Sequence, residues 1–367
     1  MSMADDVFVR LRGFGFDSNW RASFEALDLD GCAPARVVSD GRDAWRVATA
    51  AGELLARVAG RLRHDGADPP VAGDWVALEA RPAEGSGTIH AVLPRRTRIA
   101  RRAAGRDARE QVVAANVDVV FVVSALDREL NARRIERFLA LVYESGALPV
   151  LVLNKSDRLA EGLADPAAVE AIAAGVPVLR VSALSGDGVA ALEAHLAPGK
   201  TAALIGSSGV GKSTLVNRLA GADLLSTAPV REDDDRGRHA TTARRIVRLP
   251  SGALLLDTPG LREVGLAGGA ESLSRVFEDV AEIAASCRFR DCRHEGEPGC
   301  AVRAAVESGR LDPDRFESYR KLEREAAYEV RRSDPLARAE ELKRWKVLFR
   351  EYRRRQGGGR GSGDSRE

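Results

Sequence analysis

The sequence predicts a multidomain protein: an all-β barrel, then a central α/β unit, then a helical C-terminal unit. Up to about residue 108, short apolar segments alternate with turn residues, as in a small barrel. A nearly continuous apolar run at residues 117–123 marks a change to strands buried on both faces. Three of the four cysteines fall between Cys287 and Cys300, which indicates a separate local structure. A chain of 367 residues has room for two or three such domains.

Composition argues against secreted and membrane proteins. The chain is 44% hydrophobic and 30% charged, as globular proteins are, and no apolar run reaches membrane length. Residues 1–10 lack the apolar core of a signal peptide. Four cysteines, three of them clustered, suit a metal site in a reducing compartment better than a disulfide framework. We therefore expect a cytoplasmic monomer without a membrane partner.

The first predicted domain, residues 1–108, has five candidate strands: 35–39, 44–50, 53–61, 75–79 and 88–93. Five short strands fit an OB-fold, a common oligonucleotide-binding scaffold. Because the net charge is only +2, contact with nucleic acid would need a local basic patch. Such a patch is present at Arg95, Arg96, Arg98, Arg101, Arg102, Arg106 and Arg109. From these residues alone, a solvated charged linker explains the cluster equally well.

A phosphate-binding loop is predicted at residues 206–213, which match G-x-x-x-x-G-K-[ST] between an apolar strand and a helix at 214–220. Glycines let backbone N–H groups surround phosphate oxygens. Lys212 can reach the β- and γ-phosphates in a catalytic role, and the Ser213 hydroxyl can bind Mg²⁺. The strand and helix on either side make a chance glycine loop a poor explanation. The predicted nucleotide contacts here are Gly206, Ser207, Ser208, Gly209, Val210, Gly211, Lys212, Ser213 and Thr214.

Guanine is the predicted base. Asn154, Lys155, Ser156 and Asp157 match N-K-x-D directly after the apolar strand 149–153. The Asp157 carboxylate can accept hydrogen bonds from guanine N1–H and its exocyclic amine, a pair that adenine does not offer. After the next strand, 178–181, Ser182 and Ala183 form the S-A-x element that supports the base. The tetrapeptide alone could be a polar turn, but beside a phosphate loop it indicates GTP rather than ATP.

Two further motifs are predicted to sense the γ-phosphate. Asp257 and Gly260 match D-x-x-G after strand 253–256, so Asp257 would hold Mg²⁺ through water and the Gly260 N–H would contact the γ-phosphate. In the polar segment 223–242, Thr241 is the candidate Mg²⁺ ligand.

The motif order is the unusual feature of the predicted α/β domain, residues 109–265. A conventional GTPase has the phosphate loop first, whereas here N-K-x-D and S-A-x precede it. The domain is therefore predicted to be circularly permuted, which a parallel sheet tolerates because its termini can be rejoined at the surface.

His239 is a candidate catalytic residue. Many GTPases place a water-orienting glutamine directly after the D-x-x-G glycine, but this chain has Leu261 there. His239 is the nearest substitute, although a solvent-exposed loop histidine is an equally good explanation.

The cysteine cluster predicts one structural zinc ion in the C-terminal domain, residues 266–356. Its spacing, C-x4-C-x-H-x5-C, supplies four protein ligands, which leave no open position for catalysis: Cys287, Cys292, His294 and Cys300. Helices are predicted at 271–285, 313–332 and 335–355. The basic face of the last helix could bind RNA phosphates or be solvated. Residues 357–367 are glycine-rich and predicted to be disordered.

Three segments carry a family resemblance: GRHATT at residues 237–242, DTPG, and CRFRDCRHEGEPGC at residues 287–300. With the permuted order, the chain resembles the ribosome small subunit-dependent GTPase A family, of the YjeQ type. The resemblance implies an OB-fold, a permuted GTPase domain and a zinc-binding domain. It also implies late maturation of the small ribosomal subunit, contacts with its rRNA, and GTP hydrolysis stimulated by the subunit. Ala240 departs from the family pattern, which more often has threonine.

Two other functions are open at this stage. The chain could be a GTP-dependent switch for a protein partner, with its arginines merely solvated. It could also be an RNA-binding scaffold with vestigial nucleotide chemistry, although Lys212, Ser213, Asp257 and Asp157 argue against that.

Overall fold

The computed structural model of the protein describes residues 3–41, 43–64, 68–102, 110–128, 130–161, 165–173, 175–224, 244–257 and 270–333. Within these ranges, no helix is both long and apolar enough to cross a membrane. The predicted helix 335–355, the tail 357–367 and most of the polar segment 223–242 lie outside the described residues.

The N-terminal unit is a closed five-stranded barrel, as predicted. Its strands neighbour one another in the order β1-β2-β3-β5-β4, and β4 pairs back with β1. Closure leaves no free strand edge. The barrel core contains Val37, Val47, Ala56, Leu78 and Ile89. The elements are α1 (Met3–Leu11), α2 (Ser18–Glu25), β1 (Ala33–Ser39), β2 (Trp45–Thr49), β3 (Gly52–Val58), α3 (Gly60–His64), β4 (Trp75–Arg81) and β5 (Ser86–Val92).

Helices α1, α2 and α3 were not predicted, and α3 begins within the predicted strand 53–61, so the description of this region as all-β was incomplete. Asp17 caps α2, since its side chain accepts a hydrogen bond of 2.9 Å from the Trp20 N–H. Phe16 and Trp20 pack against Trp75 with ring centroids 4.8 and 6.2 Å away. Leu11 of α1 is buried in the same cluster, so apolar burial against Trp75 of the barrel holds both helices.

A two-stranded hairpin, β6 (Arg98–Arg102) and β7 (Glu110–Ala115), connects the barrel to the central unit. Its connecting residues, 103–109, lie outside the described residues and contain the predicted domain boundary. The Arg95 side chain donates to both Asp74 oxygens at 2.8 Å, and Arg96 donates to Asp17 at 2.6 and 2.7 Å. These two members of the predicted basic patch are therefore engaged in internal ion pairs.

The central unit is a six-stranded part of the sheet, in the order β10-β9-β8-β11-β13-β12. Every neighbouring pair is parallel except β13–β12. The strand before the phosphate loop, β11, is central although the chain enters at β8. The elements are β8 (Val119–Ala125), α4 (Ala132–Ser145), β9 (Leu148–Asn154), α5 (Pro166–Ile172), β10 (Val178–Arg180), α6 (Ala190–Glu193), β11 (Thr201–Ile205), α7 (Lys212–Ala220), β12 (Arg245–Arg248) and β13 (Leu254–Asp257).

The barrel and the central unit share one eleven-stranded sheet. Strand β1 meets β12 where Ser39 pairs with Arg245. Beside this pair, the Arg244 backbone N–H and guanidinium each donate to Asp40 at 2.7 Å. These contacts attach the barrel to the edge of the central sheet.

The C-terminal unit is helical. The single helix predicted at 271–285 was wrong, because the chain breaks at Phe277 into two helices. The Phe277 ring is fully buried and packs edge-on against Tyr319 at 5.5 Å, so tertiary packing decides the break. The helices are α8 (Ala270–Val276), α9 (Glu278–Ala284), α10 (Ala301–Glu307) and α11 (Pro313–Ser333).

A buried ion network attaches this unit to α4. The carboxylate of Glu136 is fully buried and accepts hydrogen bonds from Arg315 at 2.7 Å, Arg133 at 3.0 Å and the Ser318 hydroxyl. Arg315 also donates to Asp279 of α9 at 2.8 and 3.0 Å. Three helices therefore meet at two charged side chains.

Replacing Glu136 with Ala is expected to lower the free energy of unfolding by about 3–5 kcal/mol, because Arg315 would remain buried without one of its carboxylates. Urea unfolding followed by circular dichroism measures this. The control is Glu325→Ala, which removes a half-exposed partner of Arg137 and should cost less than about 1 kcal/mol. Equal small losses in both variants would contradict the role assigned to the network.

Candidate functional site

The predicted motifs meet at one edge of the central sheet. Strands β8, β9, β11 and β13 are parallel, so their carboxyl ends lie together. The registers pair Ile205 with Val122, Asn154 with Ala125, and Leu256 with Ala203. The structure thus brings the phosphate loop, the N-K-x-D loop and the start of D-x-x-G to the same edge.

The phosphate loop has a backbone that requires glycine. Gly206 has φ +148°, and a Cβ there would lie 2.2 Å from the Val123 carbonyl oxygen. Gly211 has φ +94°, and a Cβ there would lie 2.3 Å from the Asn154 side-chain nitrogen. Helix α7 begins at the next residue, so its first N–H groups and its positive dipole end face the loop. This is the backbone arrangement that binds phosphate.

The last polar residues of the phosphate-loop motif form the first turn of α7. Ser213 and Thr214 lie in its first turn. The Lys212 ammonium donates to the carbonyl oxygens of Gly206, at 2.8 Å, and of Ser207. The Lys212 side chain therefore extends across the phosphate loop to its first two residues.

Asn154 connects the phosphate loop to the guanine loops. Its side-chain nitrogen donates to the Val210 carbonyl oxygen at 2.8 Å, and its side-chain oxygen accepts from the Ala183 N–H at 2.9 Å. The side chain is 2% exposed, so these bonds form in a dry environment that strengthens them. Asn154 thereby ties the phosphate loop to the N-K-x-D and S-A-x loops.

The rest of N-K-x-D is more open. Lys155 adopts φ +63°, and its ammonium lies 2.8 Å from Asp127. Asp157 is exposed in a short 3₁₀ turn, and the neighbouring Ser156 N–H donates to the Val181 carbonyl oxygen at 3.0 Å. The Asp157 carboxylate, which is predicted to bind guanine, is therefore exposed to solvent, and a hydrogen bond of the neighbouring residue fixes its backbone.

The S-A-x loop is held by a residue that the sequence analysis missed. Arg218 of α7 donates to the carbonyl oxygens of Ala183 at 3.3 Å and Leu184 at 2.5 Å. Ser182 is fully buried, and its hydroxyl accepts from the Ser185 N–H at 3.1 Å. Arg218 and Asp127 lie outside the recognised motifs, so one sequence carries no signal that would single them out.

Asp257 ends β13 at the same sheet edge as Ser213. Burial raises the pKa of its carboxyl group above the usual range. A divalent cation beside Asp257 would favour the ionised form and so oppose this effect of burial. The other predicted ligands and sensors, Thr241, Gly260 and His239, lie outside the described residues.

The second cluster is the predicted metal centre. The ligand atoms of Cys287, Cys292, His294 and Cys300 all lie within 4.8 Å of one another. His294 Nδ1 is 3.6 Å from Cys287 Sγ and 3.4 Å from Cys300 Sγ. In a tetrahedral site with Zn–S bonds of about 2.3 Å, ligand atoms are roughly 3.8 Å apart. The donor set and its spacing fit one zinc ion.

Local hydrogen bonds shape the metal loop. The Glu297 carboxylate accepts from the N–H groups of Gly296 at 3.0 Å, Arg293 at 2.9 Å and Glu295 at 2.9 Å. These backbone bonds lower the pKa of Glu297 to about 2. The loop is therefore held by a carboxylate that is not itself one of the four ligands.

Helix α10 contributes to the same centre. Its N-cap is Cys300, whose sulfur accepts from the Arg303 N–H at 3.4 Å. Burial raises the pKa of the Cys287 thiol, but hydrogen bonds from Val302 and Ala301 N–H groups outweigh it and lower the pKa. Because the thiolate is the form that binds zinc, this environment favours Cys287 as a ligand, whereas burial raises the pKa of the Cys292 thiol to about 11.

Comparison with known proteins covers nearly the whole chain. The family model described as RsgA GTPase matches residues 92–267. The chain is 48% identical over 360 residues to the small ribosomal subunit biogenesis GTPase RsgA of Opitutus terrae, covering 95% of this chain and 98% of that protein. The chain belongs to the RsgA GTPase family. A Streptomyces coelicolor protein of the same name is 44% identical, over 94% of this chain and 92% of that one.

Solved structures agree with the family. YjeQ from Thermotoga maritima has a TM-score of 0.61 and 28% identity, covering 81% of this chain and 99% of that chain. YloQ, described as a circularly permuted GTPase, has a TM-score of 0.57 at 24% identity, which supports the fold. The predicted family, its GTP hydrolase class and the permuted fold are confirmed.

Proposed function

We propose that this protein is a GTPase of small ribosomal subunit biogenesis that binds GTP with Mg²⁺ and hydrolyses it when the subunit stimulates it. The observation that carries the proposal is the Asn154 bridge, which joins a phosphate loop to a guanine loop in a chain 48% identical to a protein named for this role. A signalling switch for a protein partner would use the same nucleotide site, but the relatives' names favour the ribosomal subunit.

The nucleotide contacts follow from the loops. Asp157 reads the guanine edge, with Ser182 and Ala183 behind the base. The phosphate-loop N–H groups and Lys212 bind the phosphates. Mg²⁺, when bound, neutralises charge on the β- and γ-phosphates, and the residues proposed to hold it are Ser213, Thr241 and Asp257. Gly260 completes the site through its N–H.

RNA contact is proposed for the barrel and the C-terminal unit. The strand order β1-β2-β3-β5-β4 with closure is consistent with an OB-fold, which binds oligonucleotides along its sheet. Of the remaining arginines of the basic patch, Arg98, Arg101 and Arg102 lie on β6, whereas Arg106 and Arg109 lie outside the described residues. We propose that these arginines contact rRNA phosphates. We propose domains at 1–108, 109–265 and 266–356, one structural zinc ion, and action as a cytoplasmic monomer.

Sedimentation with purified small ribosomal subunits tests the proposal. The protein is expected to co-sediment with a non-hydrolysable GTP analogue, to be released with GDP, and to hydrolyse GTP faster when subunits are added. The association should weaken as salt rises, because phosphate contacts release counterions. The ribosomal role would be rejected if co-sedimentation were the same with the GTP analogue and with GDP, and if added subunits left the rate of GTP hydrolysis unchanged.

His239 is the proposed water-positioning group. Leu261 cannot orient water, whereas a neutral imidazole can accept a hydrogen bond from it. His239→Ala should leave affinity for a GTP analogue unchanged and remove most of the subunit-stimulated rate, by about 10²-fold or more. The comparison is single-turnover hydrolysis with and without subunits. If His239→Ala kept the full subunit-stimulated rate, the group that positions the water would have to be supplied by the ribosomal subunit.

A further inference from the structure

Helix α4 lies between the phosphate loop and the C-terminal unit. One face packs on the central sheet through Ile135, Leu139 and Val142, which are buried. Another face carries the charged residues Arg134 and Arg137, and Glu136 lies buried beside them. Coupling between distant sites can pass through packed side chains, hydrogen bonds and rigid secondary elements, so the contacts that α4 makes along its length form a candidate route.

The first turn of α4 contacts the phosphate loop. Arg134 Nη1 donates to the Ser207 hydroxyl at 2.9 Å. Ser207 is the second residue of the loop, and its carbonyl oxygen also accepts from Lys212. The helix start is itself fixed, since the Asn131 side chain accepts from the Arg134 N–H at 3.0 Å. The position of the loop is thus tied to the beginning of α4.

The next turn of α4 contacts α11. Arg137 forms two hydrogen bonds with Glu325, at 2.7 and 3.0 Å, beside the buried Glu136–Arg315 pair. Helix α11 in turn reaches the metal loop, where Phe316 packs edge-on against His294 at 6.1 Å. A continuous set of contacts therefore runs from the phosphate loop through α4 and α11 to the cysteine–histidine cluster.

We propose that Arg134 is a positioning residue for the phosphate loop, and that α4 links nucleotide affinity to the seating of the C-terminal unit. The inference rests on the proposed nucleotide site. Because coupling between two sites is reciprocal, any partner that shifts α11 changes nucleotide affinity, and nucleotide changes the affinity for that partner by the same factor. Neither Arg134 nor Glu325 is one of the four predicted metal ligands, so variants at these residues test the link without removing a ligand.

Equilibrium binding of fluorescent GDP and a fluorescent GTP analogue to the full chain, with its metal, tests the link. Arg134→Ala and Ser207→Ala should each weaken binding by about fivefold, and the double variant should be no weaker than either, because both remove one contact. Arg134→Lys, which keeps a donor, should recover part of the loss.

The distant end of the link provides the decisive comparison. Arg137→Glu should also weaken nucleotide binding by about fivefold, while the exchanged pair Arg137→Glu with Glu325→Arg should restore it. In the Arg134→Ala background, Arg137→Glu should have no further effect. Lys200→Ala is the control, since it breaks an exposed ion pair of 2.8 Å with Asp118 at the opposite ends of the strands.

Two results would overturn the link. Unchanged affinity in Arg137→Glu, with the wild-type chain binding guanine nucleotides normally, would reject the link and leave the proposed function standing. Weakened affinity that the exchanged pair does not restore, although thermal melting shows it folded, would mean that Arg137 acts on the nucleotide site without Glu325. A wild-type chain that binds no guanine nucleotide would reject the proposed function itself.

Discussion

Replacing Asp157 with Asn is expected to weaken GTP binding by about four orders of magnitude. The carboxylate would accept two guanine donors, N1–H and the exocyclic amine. In the variant, the side-chain amide brings an N–H group to face one of those donors, so one guanine hydrogen bond is lost and replaced by repulsion. Xanthine has a carbonyl in place of that amine, so the variant should favour xanthosine triphosphate.

Competition against a fluorescent guanine nucleotide measures both effects. The control is Glu170→Gln, because Glu170 is a carboxylate of the same unit that contacts Arg180 at 2.6 Å instead of the guanine loop. This control should bind GTP as the unmodified chain does. If Asp157→Asn kept full GTP affinity, Asp157 would not be the residue that selects the base.

Local patterns in the sequence were enough to locate the sheet and the loops at its edge. Buried parallel strands are apolar throughout, so the runs at β8, β9 and β11 were recognisable without any tertiary information. Short motifs directly after those strands must lie at the carboxyl edge. The phosphate loop, the N-K-x-D loop and Asp257 could therefore be placed at one sheet edge from their motifs and the strands that precede them.

Contacts between distant segments could not be predicted. Glu136 and Arg315 are separated by 179 residues, and no sequence pattern near either residue identifies the other as its partner. The same holds for the break at Phe277, which is set by a ring from α11, and for Arg95 and Arg96, whose carboxylate partners lie elsewhere in the barrel unit. Asn154 was assigned to nucleotide binding by its motif, whereas only the structure revealed its bonds to two loops.

Removing the metal is expected to unfold the C-terminal unit before the rest of the protein. The segment 287–300 has no regular helix or strand, and its three cysteines and one histidine converge on one point. Zinc binding in such small units supplies about 10 kcal/mol, which is also the energy that folds them. Without it, Cys300 would lose its place as the N-cap of α10, and α11 would lose the ring contact with His294.

Metal analysis of the purified protein should find one zinc ion per chain, and chelation should expose the C-terminal unit to protease while the barrel resists. Cys292→Ser should reproduce the chelated state, because a hydroxyl is a poor replacement for a thiolate on zinc. Cys32→Ser is the matched control, since Cys32 lies in the barrel unit outside the cluster. Loss of the unit would also remove Arg315 of α11 from Glu136 of α4, leaving that buried carboxylate without this partner. The unfolding of the central unit should therefore shift to lower temperature as well, by an amount that Glu136→Ala no longer adds to. Chelation that changes neither protease sensitivity nor melting would show that the four ligands do not hold a structural ion.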